Sequence, residues 1–181
     1  RRQAWGMQDR GVTRPMSKPF MVVATQNPIE HEGTFPLPEA QLDRFLMKIA
    51  MGYPSLEHEK AILEQQRETH PIHSLQQISS AENLVKMQSH VKQVFIHDSL
   101  RDYLLKLVHA TRTHPDLALG SSPRGSLNLF RSAQALAACE GRDFVTPDDI
   151  KGLAPAVLAH RLIVKPESRL KRRTPRNVLE H

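Results

Sequence analysis

Residues 20–49 read FMVVATQNPIEHEGTFPLPEAQLDRFLMKI, and the rest of the chain is best read outward from them. The stretch opens on an unbroken apolar run, Phe20 to Thr25. Such a run suits a strand buried on both faces of a parallel sheet. It ends abruptly at Gln26-Asn27-Pro28, which places a carboxamide just past the strand's C-terminal end. In open α/β sheets that edge is where ligands bind. Further along comes Asp43-Arg44-Phe45, an arginine set between an acid and an apolar residue. Taken singly, Asn27 reads as a turn residue before proline. Arg44 alone reads as half of a surface ion pair.

Together, ATQNP and LPEAQLDRF closely resemble the MoxR family of AAA+ ATPases, over about thirty residues and at that family's spacing. The resemblance implies that Asn27 is the sensor 1 residue, which orients the attacking water near the γ-phosphate. It implies that Arg44 is the arginine finger, offered to the nucleotide of a neighbouring subunit. The chemistry is consistent with those roles. Phosphoryl transfer needs a polar group on the water and a fixed positive charge on the transition state. The planar guanidinium pairs bidentately with phosphate oxygens, which an ammonium cannot do.

The apolar runs fall far short of a membrane span, and no signal peptide precedes them. One cysteine, Cys139, excludes an internal disulfide and fits a reducing cytoplasm; its apolar neighbours predict that it packs as a small hydrophobe. The chain begins with arginine, read as the interior of a longer protein, and Leu179-Glu180-His181 reads as a tag remnant. The net charge is +6, and residues 165–178 hold six basic residues against Glu167 alone. That segment reads as a solvated basic tail; without aromatic residues it offers bases no stacking platform, so nucleic acid is not an expected partner.

Residues 8–13 resemble the family's approach to a β-hairpin that would be short here. After Gly52-Tyr53-Pro54 the pattern becomes helical. Ser55 is a good N-cap, with Glu57 and Glu59 in the first turn. A short helix is predicted over about 81–91. A long one is predicted from 98 or 99 to 113, with Leu100, Tyr103, Leu104, Leu107, Val108 and Thr111 on one face. Ser122-Pro123 and Thr146-Pro147 open two more helices, each with proline at the first helical position. Leu127, Phe130, Ala133, Gln134, Leu136 and Ala137 carry the first to Cys139, and Pro155 predicts a kink or break in the second. The expected fold is mostly α: a partial α/β AAA+ core with the sensor 1 strand and a flanking helix (1–53), then an α-helical lid bundle of four or five helices (54–164). The basic tail (165–178) and tag remnant (179–181) follow.

Arg124 stands in a helix's first turn, where positive charge opposes the helix dipole. The same turn exposes amides that favour an anion. Gly120-Ser121-Ser122-Pro123-Arg124-Gly125 resembles the family's sensor 2 motif, which implies that Arg124 contacts the γ-phosphate. The histidines at 70, 73, 109 and 114 have no partners for a metal set, and no metal-binding residue is expected. No Gly-x-x-x-x-Gly-Lys-Ser/Thr loop occurs, nor a strand ending in Asp-Glu. The resemblance therefore implies the C-terminal portion of a cytoplasmic, ring-forming (hexameric) ATPase that uses ATP and Mg²⁺, bound mainly by residues outside this chain, to remodel or assemble protein clients. On this reading the chain alone is inactive. The alternatives are a non-catalytic helical adaptor and a nucleic-acid-binding module that uses the basic tail.

Overall fold

The computed structural model describes residues 6–9, 12–26, 37–67 and 70–180. Sensor 1 residue Asn27 lies outside them. The chain divides into two compact units, Arg1–Thr34 with Gly52–Ser89, and Phe35–Met51 with His90–His181.

In the first unit β1 (Gly6–Asp9) pairs antiparallel with β2 (Val12–Pro15), Asp9 opposite Val12, as a short hairpin requires. Phe20 to Gln26 forms no ladder, and Met21 and Val23 stand 80% and 74% exposed. A strand is completed by its neighbours' backbone groups, and among the described residues no strand lies beside this run. The helix α2 (Leu56–Gln65) starts as expected, with the Ser55 hydroxyl accepting from the His58 amide at 3.3 Å. A 3₁₀ turn at Pro71–Ser74 follows, and α3 (Ala81–Val91) carries the chain into the second unit.

The second unit contains α1 (Glu39–Leu42), a single turn that ends just before Arg44. Its bulk is α4 (Asp98–Thr113), α5 (Pro123–Cys139) and α6 (Pro147–Leu158) around one apolar core. α4 buries Leu104, Val108 and Thr111, three of the six residues expected on its inner face. α5 turns a different face inward: Leu129 is fully buried while Leu127 is 47% exposed. Gly125, Ser132, Ala133 and Ala137 share the buried side with Leu129, and small side chains let neighbouring helices approach closely. Cys139, expected to pack, is exposed one position past this face. α6 opens with a capping box in which Thr146 and Asp149 satisfy each other's backbone amides. It runs through Pro155 without a break and tightens into a 3₁₀ turn at Ala159–Arg161.

The short strands β3 (Leu117–Leu119) and β4 (Ile163–Val164) pair antiparallel, which the sequence pattern did not predict. The segment expected to be a solvated tail is folded as α7 (Pro166–Leu170) and α8 (Pro175–Glu180). Val178 joins Leu117, Leu162 and Val164 in a second small core, and Leu179 packs against both cores. Residues 179 and 180, expected to be tag remnants, are thus part of a packed helix; burying two apolar side chains outweighs the segment's solubility. Among the described residues no helix is long and apolar enough to cross a membrane.

Candidate functional site

The site grows from the turn after α1. Met47 packs on the core, and the Lys48 amide donates to the Ala156 carbonyl of α6 at 2.9 Å. This anchors residues 43–48 along the end of α6. Arg161 then holds the turn from beneath. Its side chain is fully buried. Nε donates to the Val157 carbonyl at 2.8 Å, and Nη1 donates to both the carbonyl and the Oδ1 of Asp43 at 2.6 Å. Nη2 donates to the Phe45 carbonyl. A buried guanidinium is tolerated only when its donors are matched, and here one fork serves two backbone carbonyls and a carboxylate in the same turn.

His160 lies beside it, with its Nε2 3.3 Å from the Phe45 carbonyl and its Nδ1 buried without a partner. Burial, aided by the Arg161 charge, pushes the His160 pKa below the ordinary value of 6.5. The ring is therefore neutral at pH 7, and Nε2 carries the proton donated to Phe45.

Asp43 is shared with a second element. Ser122 Oγ donates to its Oδ1 at 3.1 Å and its Oδ2 at 3.3 Å. Arg124 Nη1 donates to Oδ2 at 3.3 Å. Ser122 was expected to cap α5, but its hydroxyl makes no cap bond; the carboxylate takes it instead. The first-turn amides of α5 are left without that cap, as an anion site requires. The loop before them is fixed to α4: the Ser121 amide donates to Thr111 Oγ1 at 3.0 Å, and Arg112 Nε donates to the Ser121 carbonyl at 2.9 Å. A side chain at Gly120 would meet the Arg112 backbone at 2.6 Å, so only glycine lets this loop lie so close to α4.

The structure thus brings two of the three expected residues into one cluster. Arg124 is 61% exposed and rests on Asp43. Arg44, the next residue along, is exposed, and among the described residues its guanidinium has no hydrogen-bond or ion-pair partner. Three arginines face one carboxylate, an excess of positive charge suited to phosphate oxygens. Sequence reasoning missed Asp43 and Arg161. The signal for Arg161 was present: a lone charged side chain between Leu158 and Val164, where charge is buried only if paired.

Known proteins match on the same elements. The model of the ATPase family associated with various cellular activities (AAA) matches residues 6–47, and that of the AAA lid domain matches residues 109–181. The chain is 45% identical over 172 residues to the chaperone MoxR1 of Mycobacterium tuberculosis, covering 87% of this chain and 45% of that protein. The chain belongs to the MoxR family of AAA+ ATPases. Another MoxR-family relative is YeaC of Bacillus subtilis, itself uncharacterised, 48% identical over 159 residues, or 88% of this chain and 50% of YeaC. A solved structure of a candidate ATPase from Cytophaga hutchinsonii superposes with a TM-score of 0.89 at 36% identity, covering 97% of this chain and 56% of that one. This MoxR-family chain spans about half the length of the curated relatives it matches.

Proposed function

We propose that this chain is the phosphate-sensing portion of a ring-forming ATPase that couples ATP binding and hydrolysis to remodelling or assembly of protein clients. Asn27 serves as sensor 1, Arg44 as a finger for the neighbouring subunit's nucleotide, and Arg124 as sensor 2. The observation that carries this reading is the shared carboxylate. Arg124, at the start of α5, and the turn bearing Arg44 meet at Asp43. A largely exposed ion pair is worth about 1 kcal/mol or less, so a nucleotide phosphate carrying several charges can draw Arg124 away from Asp43. The freed guanidinium and the first-turn amides of α5 then take the phosphate.

The residues present fit a phosphate. They do not supply a magnesium site: among the described residues no three acidic, histidine or cysteine groups cluster. Mg²⁺, which would neutralise charge on the transferring phosphoryl group, is on this reading held by the nucleotide and by residues outside the described ones. The hexameric ring, the protein clients and the cytoplasmic setting belong to the same proposal.

The test uses the full-length protein. Arg124→Ala and Asn27→Ala should each lower the kcat for ATP by more than tenfold (above about 1.4 kcal/mol) while the helical CD spectrum is kept. Unchanged turnover in both would reject the assignment. The 181-residue chain, assayed alone, should release no phosphate from ATP.

A further inference from the structure

We propose that Arg161 is the positioning residue for Arg44, fixing the turn so that the finger projects at a set angle towards a neighbouring subunit. The inference rests on the reading of Arg44 as a finger. Arg44 itself has no partner among the described residues, so its direction is set by its backbone. That backbone is weakly held from within. α1 is one turn long, and it ends with the Arg44 amide on the Gln41 carbonyl and the Phe45 amide on the Leu42 carbonyl, both at 3.1 Å. A lone turn of helix does not persist without tertiary support.

Arg161 supplies that support, 118 residues away in sequence, by holding the Asp43 carbonyl and carboxylate. Its other nitrogen takes the Phe45 carbonyl. The residues on both sides of Arg44 are therefore fixed by one rigid, planar fork, and His160 adds a second donor to Phe45. Nε ties the same guanidinium to α6 at Val157, so the finger's origin moves with the end of α6. Only a planar fork reaches both flanks at once; a lysine in the same place reaches one.

The test is Arg161→Lys, which keeps the charge and removes the fork. In the full-length protein it should lower kcat by about 10²-fold, the scale of loss for a catalytic group displaced by about 1 Å. The KM for ATP should stay within about twofold, because ground-state binding is untouched. In an Arg44→Ala background the same substitution should change kcat by less than about twofold, since no finger is left to misplace. A purely structural role would cost activity equally in both backgrounds. If Arg161→Lys fails to fold, Asp43→Asn should show the same dependence on Arg44.

Amide exchange separates the ways this can fail. In the 181-residue chain Arg161→Lys should speed exchange at the Arg44 and Phe45 amides by about tenfold or more. Exchange that does not change rejects the clamp. A kcat loss undiminished by Arg44→Ala, or no loss at all, rejects the positioning role. If Arg44→Ala alone leaves kcat unchanged, the finger reading has failed and the positioning role falls with it, whatever the exchange rates show.

Discussion

Gly125→Ala tests the packing under the phosphate-facing end of α5. A Cβ at this position would lie 2.0 Å from Ser121 Oγ, 3.0 Å from Leu158 Cδ2 and 3.3 Å from Ser121 Cβ. Ser121 cannot turn aside easily, because it is 1% exposed and its amide is fixed to Thr111. Overpacking of this kind costs about 1–3 kcal/mol, and a 2.0 Å overlap belongs at the upper end. Replacing glycine by alanine in a helix returns about 1 kcal/mol. The net loss expected for Gly125→Ala is therefore about 2 kcal/mol. Ser121→Ala removes only a 3.4 Å hydrogen bond to the Ser122 carbonyl and should cost about 0.5 kcal/mol. In the double variant the offending oxygen is gone, and the remaining contacts can relax by a few tenths of an ångström. Its stability should lie within about 0.5 kcal/mol of the parent, an interaction energy of about −2 kcal/mol. Urea unfolding followed by the helical CD signal measures all four proteins. A double variant as unstable as the sum of the singles would refute the contact.

Three further outcomes follow from the same geometry. Gly120→Ala should destabilise the chain by about 2 kcal/mol, because the new Cβ meets backbone rather than a movable side chain; urea unfolding checks it. His160 has its folded pKa lowered from 6.5 by burial, so the unfolded chain binds its proton more readily. Its contribution to stability is complete above about pH 6.5 and is lost as pH falls below that value, and the slope should vanish in His160→Gln when melting is followed across that range. Arg142 donates to both carboxylate oxygens of Asp149, at 2.8 and 2.7 Å, and this ion pair holds the Asp149 pKa down at about 2. That stabilisation is present above the ordinary value of 3.8 and is lost as pH falls towards 2. An acid titration of Arg142→Met should lose this part of the transition.

Local chemistry made much of the helical unit legible. Ser122-Pro123 and Thr146-Pro147 mark the starts of α5 and α6 because a proline at the first helical position costs no hydrogen bond. The inner face of α4 follows from its 3- and 4-residue spacing. What could not be read depends on tertiary neighbours. Leu129 replaces Leu127 in the core because the small residues of α5 set which side lies against its partners. Ser122 leaves its cap for Asp43, a residue 79 positions away. At the site, Arg44 and Arg124 were visible as motifs, whereas the Asp43 and Arg161 network that joins them is made by residues 118 apart. The C-terminal charges hid a packed segment, because composition registers the six basic residues and not the burial of Val178.

The central proposal is that Arg44 and Asn27 belong to different active sites, one completed by the neighbouring subunit. Mixing two inactive full-length variants, Arg44→Ala and Asn27→Ala, tests it most directly. In a ring with heterologous contacts, a site whose own subunit keeps Asn27 and whose neighbour keeps Arg44 is whole. Random mixing in equal amounts then restores about a quarter of wild-type ATP turnover. Recovery near that level is the expected result, and a mixture as inactive as either parent would contradict the trans assignment.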